Sequence, residues 1–412
     1  MVLSATSRQI SVLVTALLWA VLLLVLALPV RGEAAAQTKV DEDPGGSPYI
    51  AGELLVVYEP ETSVETEQAV VRGSGGTTAR NLPGEVRLVT FPGIQRDKPG
   101  KARERALQGR LEDLRNEPRV EAADYNYLRT ASFIPNDPRF GGQLGQWGLR
   151  KATFPGAWND ARGRETKIAI VDSGIDKDHP DIGKIAAQKD FVRGDAVADD
   201  RYGHGTHVAG VAAALTDNGR GVAGGCPACG LLVAKVLDSR GNTTDATLVS
   251  GINWSVNNGA EVINLSLGGL ADSDVLDSVN DAAAKGAVIV AAAGNEGTTV
   301  PQYPAAYSKA IAVSATNAND DLAGFSSRGN WVDLAAPGTN ILSTSAGGGY
   351  YQESGTSASA PFVSALAGLL ASQGKGAGEI RQRMQSTATD LGPAGDDPKY
   401  GHGRIDASRA VP

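Results

Sequence analysis

Residues Lys167-Ile168-Ala169-Ile170-Val171-Asp172-Ser173-Gly174 carry the reading that decides the fold. Four apolar residues in a row end at an acid and a Ser-Gly turn. An unbroken apolar run, unlike an alternating one, suits a strand covered on both faces of a parallel sheet. Similar runs recur at 231–236, 262–267, 287–293, 310–313 and 332–335, with helical patterns between them. In one such pattern Thr243, Thr244 and Asp245 are candidate N-caps. Leu248, Val249, Ile252 and Val256 share one face, and Gly259 closes the helix. The alternation predicts an α/β fold, a doubly wound and mostly parallel sheet with helices on both faces. Active sites of such sheets form at the carboxyl ends of strands, and Asp172 directly follows an apolar run.

Outside this region the chain changes character. Its 412 residues imply two globular units and a leader. The apolar share of 42% is enough for a sizeable core, and the net charge of -8 argues against a nucleic-acid partner. Arg8 precedes an apolar stretch at 10–30, and Ala34-Ala35-Ala36 fits the cleavage site of a secretion signal over 1–36. That stretch is also long enough to cross a bilayer as an uncleaved helix. Residues 37–47 are polar and read as a linker. Strands are expected near 54–58, 86–91 and 120–125, and helices at 64–71 and about 102–114. This β-α-β-α-β order suggests a small α+β unit ending near 130, with the larger domain spanning 131–412. The two cysteines, Cys226 and Cys229, form Cys-Pro-Ala-Cys. In a secreted protein this spacing reads as a small disulfide, while in a reducing compartment it would suggest redox or metal chemistry.

Three short motifs hold groups that together can activate a hydroxyl: Asp172 in 168–176, His204 in HGTHVAG at 204–210, and Ser357 in GTSASAP at 355–361. Amide hydrolysis by serine needs a nucleophile, a base and a carboxylate that orients the base. There are 4 histidines, and the HGTH motif offers His204 and His207 as bases. Two His three apart, without an acidic neighbour, make a poor zinc site. Asp176 competes with Asp172 as the orienting acid. Ser357 precedes an Ala-rich apolar stretch that reads as a buried helix, so backbone amides and the helix dipole would face charge developing on a substrate carbonyl. Asn295, in a Gly-rich turn, can donate an uncharged hydrogen bond.

These motifs and their Asp-His-Ser order resemble the subtilisin-like serine proteases, most of all the thermitase-like branch. The likeness runs from about residue 134 to the C-terminus. It implies a secreted, monomeric endopeptidase acting on proteins or peptides. In the resemblance Asp172, His204 and Ser357 form the triad, and Asn295 belongs to the oxyanion hole. Ser266, Leu267 and Gly268 would pair with an extended substrate. Ala293, Gly294 and Gln302 would line an otherwise apolar pocket for the residue before the scissile bond, favouring large uncharged side chains. The small N-terminal unit, within 37–130, would be an inhibitory propeptide removed autocatalytically between 128 and 135. A structural Ca²⁺ would be held by Asp137, Asp181, Asn218 and the carbonyls of Leu215, Arg220 and Val222. A second site would lie in the loop carrying Asp190, Asp195 and Asp199, where Arg193 replaces an expected carboxylate.

Overall fold

The computed structural model describes residues 39–42, 48–83, 86–97, 100–127, 133–142, 145–183 and 185–411. The expected signal segment and most of the expected cleavage junction lie outside the described residues. The chain divides into two compact units, Met1–Arg129 and Thr130–Pro412.

In the N-terminal unit the order is β1 (Val40–Glu42), β2 (Pro48–Tyr58), α1 (Val64–Gly73), β3 (Thr77–Asn81), β4 (Val86–Thr90), α2 (Pro92–Asp97), α3 (Gly100–Arg115) and β5 (Val120–Tyr127). The strands form an antiparallel sheet ordered β1-β2-β4-β3, with β5 also paired to β2. Leu107, Leu111 and Leu114 recur at helical spacing on α3 and are buried with Leu54, Val56 and Val89. Three elements exceed the expected pattern. Strand β3 is polar and mostly exposed, so it shows no apolar alternation. The short helix α2 follows directly on β4. Strand β1 falls inside the stretch read as a linker, and pairing with β2 explains it. Its Asp41 is buried and accepts from Arg103 Nε at 2.6 Å. A charge pair, not apolar pattern, anchors this strand.

The second unit begins with α4 (Trp147–Lys151) and α5 (Phe154–Ala157). It continues with β6 (Lys167–Asp172), β7 (Ile185–Asp190), α6 (His204–Ala213), β8 (Gly230–Lys235), α7 (Asp245–Asn257), β9 (Val262–Leu265), α8 (Ser273–Ala284), β10 (Val288–Ala292), β11 (Ala310–Thr316) and β12 (Leu334–Pro337). After these come β13 (Ile341–Ser345), β14 (Gly349–Glu353), α9 (Thr356–Ala371), α10 (Ala377–Thr387) and α11 (Ala407–Ala410). Seven strands form one sheet in the order β12-β11-β10-β9-β6-β8-β7, and every neighbouring pair is parallel. Even residues of β6, Ile168 and Ile170, enter the core that holds α6 and α9. Odd residues, Ala169 and Val171, enter the core that holds α7 and α8. This alternation is why the run had to be apolar throughout.

From β6 the chain crosses to the edge at β7, returns to β8, and then moves to β9 on the other side of β6. That reversal opens a crevice at the carboxyl end of β6, where Asp172 sits. Of the three candidate caps for α7, Thr244 serves, its Oγ1 accepting from Thr247 N–H at 3.3 Å. Strand β7 escaped the apolar reading because it is an edge strand, largely half-buried or exposed. The antiparallel hairpin β13–β14 escaped it because its second strand is polar and faces solvent.

Candidate active site

Asp172 is the last residue of β6 and is 0% exposed. His204 is the first residue of α6. Its Nδ1–H donates to Asp172 Oδ1 at 2.8 Å and lies 3.0 Å from Oδ2. Asp172 Oδ1 also accepts from the Ser173 amide at 2.7 Å. The helix starts close against the strand because residue 205 is glycine. A Cβ there would meet the Gly174 carbonyl oxygen at 2.1 Å. Asp200, which the sequence reading did not single out, organises this junction. It accepts from Gly203 N–H at 2.7 Å, Thr206 N–H at 2.9 Å and the Ser173 hydroxyl at 2.8 Å, satisfying amides at the start of α6. Asp176 turns instead to backbone amides at Asp178 and Gly347, away from the imidazole role.

Ser357 is the second residue of α9 and is 8% exposed. Amides in a first helical turn lack intrahelical partners and remain free to meet an anion. Pro361 inside α9 cannot donate to the Ser357 carbonyl four residues back. The Ser266 hydroxyl takes that place, donating to Ser357 O at 2.9 Å. Asn295 Oδ1 accepts from Thr356 N–H at 2.8 Å and from the Thr356 hydroxyl at 3.0 Å. This fixes the amide plane and leaves Nδ2–H₂ as the available donor. Thr356 in turn accepts from Gly294 N–H at 3.0 Å. It is a positioning residue that the motif reading passed over.

A cleft of ≈ 410 Å³ joins these groups. Ser266, Leu267 and Gly268 line one side, and Gly241, Asn242 and Thr243 line it as well. Gly294 and Gln302 also border it, but the pocket beside them is not otherwise apolar. Glu296 lines it too, with the Ser327 hydroxyl donating to its Oε2 at 3.3 Å. Gly294 has a φ of 101°, and a Cβ there would come within 2.6 Å of Gln302 Cγ and 2.8 Å of Glu296 Oε2. The expectation of a neutral pocket overlooked Glu296, which stands next to Asn295. Ala293, expected in the pocket wall, is 0% exposed and does not line the cleft, where Ala292 stands instead.

A second acid approaches the imidazole. Glu353 Oε1 lies 3.7 Å from His204 Nε2, and Oε2 lies 3.5 Å from His207 Nδ1. His207 is 0% exposed and donates from Nε2 to the Ile341 carbonyl at 2.8 Å. Burial holds His207 below its ordinary pKa despite Glu353. For His204 burial also opposes the charged ring. The charge and hydrogen bond of Asp172, followed by the charges of Glu353 and Asp200, outweigh it and raise the pKa to about 9.

Asp137 and Asp181 are 3% and 0% exposed. Asn218 Nδ2 donates to Asp181 Oδ1 at 2.7 Å, and Val222 N–H donates to Asp181 Oδ2 at 2.8 Å. Burial, and then the charge of Asp181, raise the Asp137 pKa against hydrogen bonds from the Asp217 and Asn218 amides. Among the described residues the carbonyl oxygens of Leu215, Arg220 and Val222 accept no hydrogen bond. Two neighbouring buried carboxylates and these carbonyls are a hard-oxygen set of the kind Ca²⁺ takes, although here each carboxylate accepts from the loop and Asn218 Oδ1 accepts from Arg220 N–H at 2.8 Å. The other expected loop differs. Asp190 Oδ1 accepts from the Val192 and Arg193 amides, and Asp195 Oδ1 accepts from Val197 N–H. One oxygen each of Asp190 and Asp195 is thus engaged by the turn, and the cationic Arg193 lies between them in the chain. Cys226 and Cys229 form a disulfide. No helix among the described residues is long and apolar enough to cross a membrane.

The sequence profile of the subtilase family, peptidase S8, matches residues 163–403. Thermitase of Thermoactinomyces vulgaris is 46% identical over 281 residues, 68% of this chain and 99% of that protein. The thermophilic serine proteinase of Bacillus sp. strain AK1 is 39% identical over 366 residues, 88% of each. Among solved structures, a protease from Pseudoalteromonas arctica PAMC 21717 superposes with a TM-score of 0.62 at 30% identity, over 68% of this chain and 99% of that one. The chain belongs to the subtilase family and is a subtilisin-like, thermitase-like serine endopeptidase.

Proposed function

We propose that the protein is a secreted endopeptidase, synthesised with its N-terminal unit as an inhibitor and acting through an acyl-enzyme on Ser357. The observation that carries this reading is the double contact of buried Asp172 with His204 Nδ1. It fixes the ring tautomer that presents Nε2 as the base. A substrate strand adds beside residues 266–268, and its acyl-side residue enters the pocket bordered by Gly294, Glu296 and Gln302. His204 Nε2 takes the Ser357 hydroxyl proton as Oγ attacks the carbonyl carbon. Asn295 Nδ2–H₂ and the Ser357 amide receive the negative oxygen. Collapse breaks the C–N bond, and the departing amine takes the proton from His204. Water, deprotonated by the same ring, then hydrolyses the ester.

Bound Ca²⁺ would neutralise the Asp137 and Asp181 pair and hold the 215–222 loop in its folded form. The disulfide supports an oxidising compartment and therefore export. A fluorophosphonate tests the chemistry. Wild type should gain one adduct, on the peptide containing Ser357, and Ser357→Ala should gain none and leave the precursor uncut. An uncut wild-type precursor that still labels would refute self-processing while sparing the triad. Edman sequencing should place the mature N-terminus between residues 128 and 135.

A further inference from the structure

The acid beside His204 Nε2 is not needed to orient the ring, which Asp172 already does from Nδ1. Glu353 ends β14, four residues before Ser357 in the chain. The Tyr351 hydroxyl donates to its Oε2 at 2.9 Å. Its Oε1 has no hydrogen-bond donor among the described residues and faces Nε2 at 3.7 Å. The side chain is 24% exposed, so a ligand can reach it. Among the described residues no Lys or Arg forms an ion pair with Glu353, and burial disfavours the charged form of His207. The carboxylate therefore has no permanently charged partner, and the positive charge beside it comes and goes with the His204 proton.

Its side of the serine follows from the cleft. The groove bordered by Ser266–Gly268, Gly294 and Gln302 receives the acyl half of the substrate, and Glu353 does not line it. The leaving amine must come within hydrogen-bond reach of Nε2 to collect its proton. Adding that reach to the 3.7 Å separation puts the leaving nitrogen within roughly 7 Å of Oε1. A long cationic side chain on the same residue spans such a gap easily.

From this geometry we infer that Glu353 is a specificity-determining residue on the leaving-group side, selecting Lys or Arg directly after the scissile bond. The inference rests on the reading of Ser357 and His204 given above. It differs from a purely structural role, in which Glu353 would serve to anchor Tyr351 in the hairpin. A structural role does not depend on substrate charge.

The test uses mature enzyme and three internally quenched peptides that differ in the residue after the scissile bond, which is Lys, Gln or Glu. Wild-type kcat/KM should fall in that order, with Lys over Glu by roughly 10-fold at low salt and by less as salt rises. Glu353→Gln should narrow the spread to about 2-fold, and Glu353→Lys should invert it. An unchanged spread in both variants would overturn the inference. So would a wild-type spread that is absent or indifferent to salt, a result that needs no variant to fold. Failure of the underlying reading is visible separately, since wild type would then form no fluorophosphonate adduct at Ser357.

Discussion

Asp172 and Glu353 approach one imidazole from opposite ends and differ in almost everything else. Asp172 ends a central strand, is 0% exposed, and touches Nδ1 with both oxygens. Glu353 ends a surface hairpin, is 24% exposed, and stands 3.7 Å from Nε2, beyond hydrogen-bond range. The first acts by geometry. It fixes tautomer and ring orientation, and bulk salt does not reach it. The second acts by its field, which solvent and ions screen. Both favour the imidazolium, yet only one is required for the ring to work as a base.

Breaking the buried contact should have the largest effect. Asp172→Asn should lower kcat by about 10⁴, because the ring loses the acceptor that selects its tautomer. A drop below tenfold would make Asp172 a turn residue. Next comes Asn295→Ala. For such a donor the loss measured in a subtilisin is about 10²–10³ in kcat, and the same range is expected here with KM little changed. A KM effect alone would place Asn295 in binding.

The third test asks how far the hairpin depends on its surroundings. Its Tyr350 lies against the Asp181 loop: burial, then the Asp181 charge, raise the phenol pKa. Chelation should lower the unfolding midpoint, by stabilisation lost of about 4 kcal/mol if Ca²⁺ was at a thousandfold its Kd. Asp181→Ala should remove the chelator response. Identical melting curves with and without chelator would count against the site. The smallest effect belongs to Glu353→Gln. Loss of one raising charge should move the acid limb of kcat/KM to lower pH. Relative to the variant's own plateau, activity at neutral pH should rise by less than roughly 10-fold. A limb that moves upward would show that Glu353 does not face the ring as an anion.

The difference between the two acids also marks what the sequence can convey. Asp172 was legible because a strand buried on both faces must be apolar throughout, so the acid that ends it stands out. Ser357 stood out likewise, at the start of a small-residue helix, whereas the choice of His204 over His207 came from the family resemblance. Glu353 sits in Tyr350-Tyr351-Gln352-Glu353, a polar edge pattern shared by any surface hairpin. Its neighbour in space is 149 positions away in the chain, from residue 204 to residue 353. Asp200, Thr356 and Glu296 were missed for a related reason. Each acts through hydrogen bonds or a pocket wall made by loops whose course no periodicity records. Strand β1 repeats the lesson, since the ion pair between Asp41 and Arg103 is invisible without the fold.

The central claim is that His204, braced by Asp172 and raised by its acidic surroundings, is the base that activates Ser357. Burial works against the charged ring, and Asp172, then Glu353 and Asp200, outweigh it and raise its pKa. The rate of fluorophosphonate labelling of Ser357 against pH reads that base without any substrate. The account predicts a single rising limb with its midpoint above the ordinary imidazole value of 6.5, toward about 9. It also predicts that labelling collapses in Asp172→Asn. A rate independent of pH, or a midpoint at or below 6.5, would contradict it.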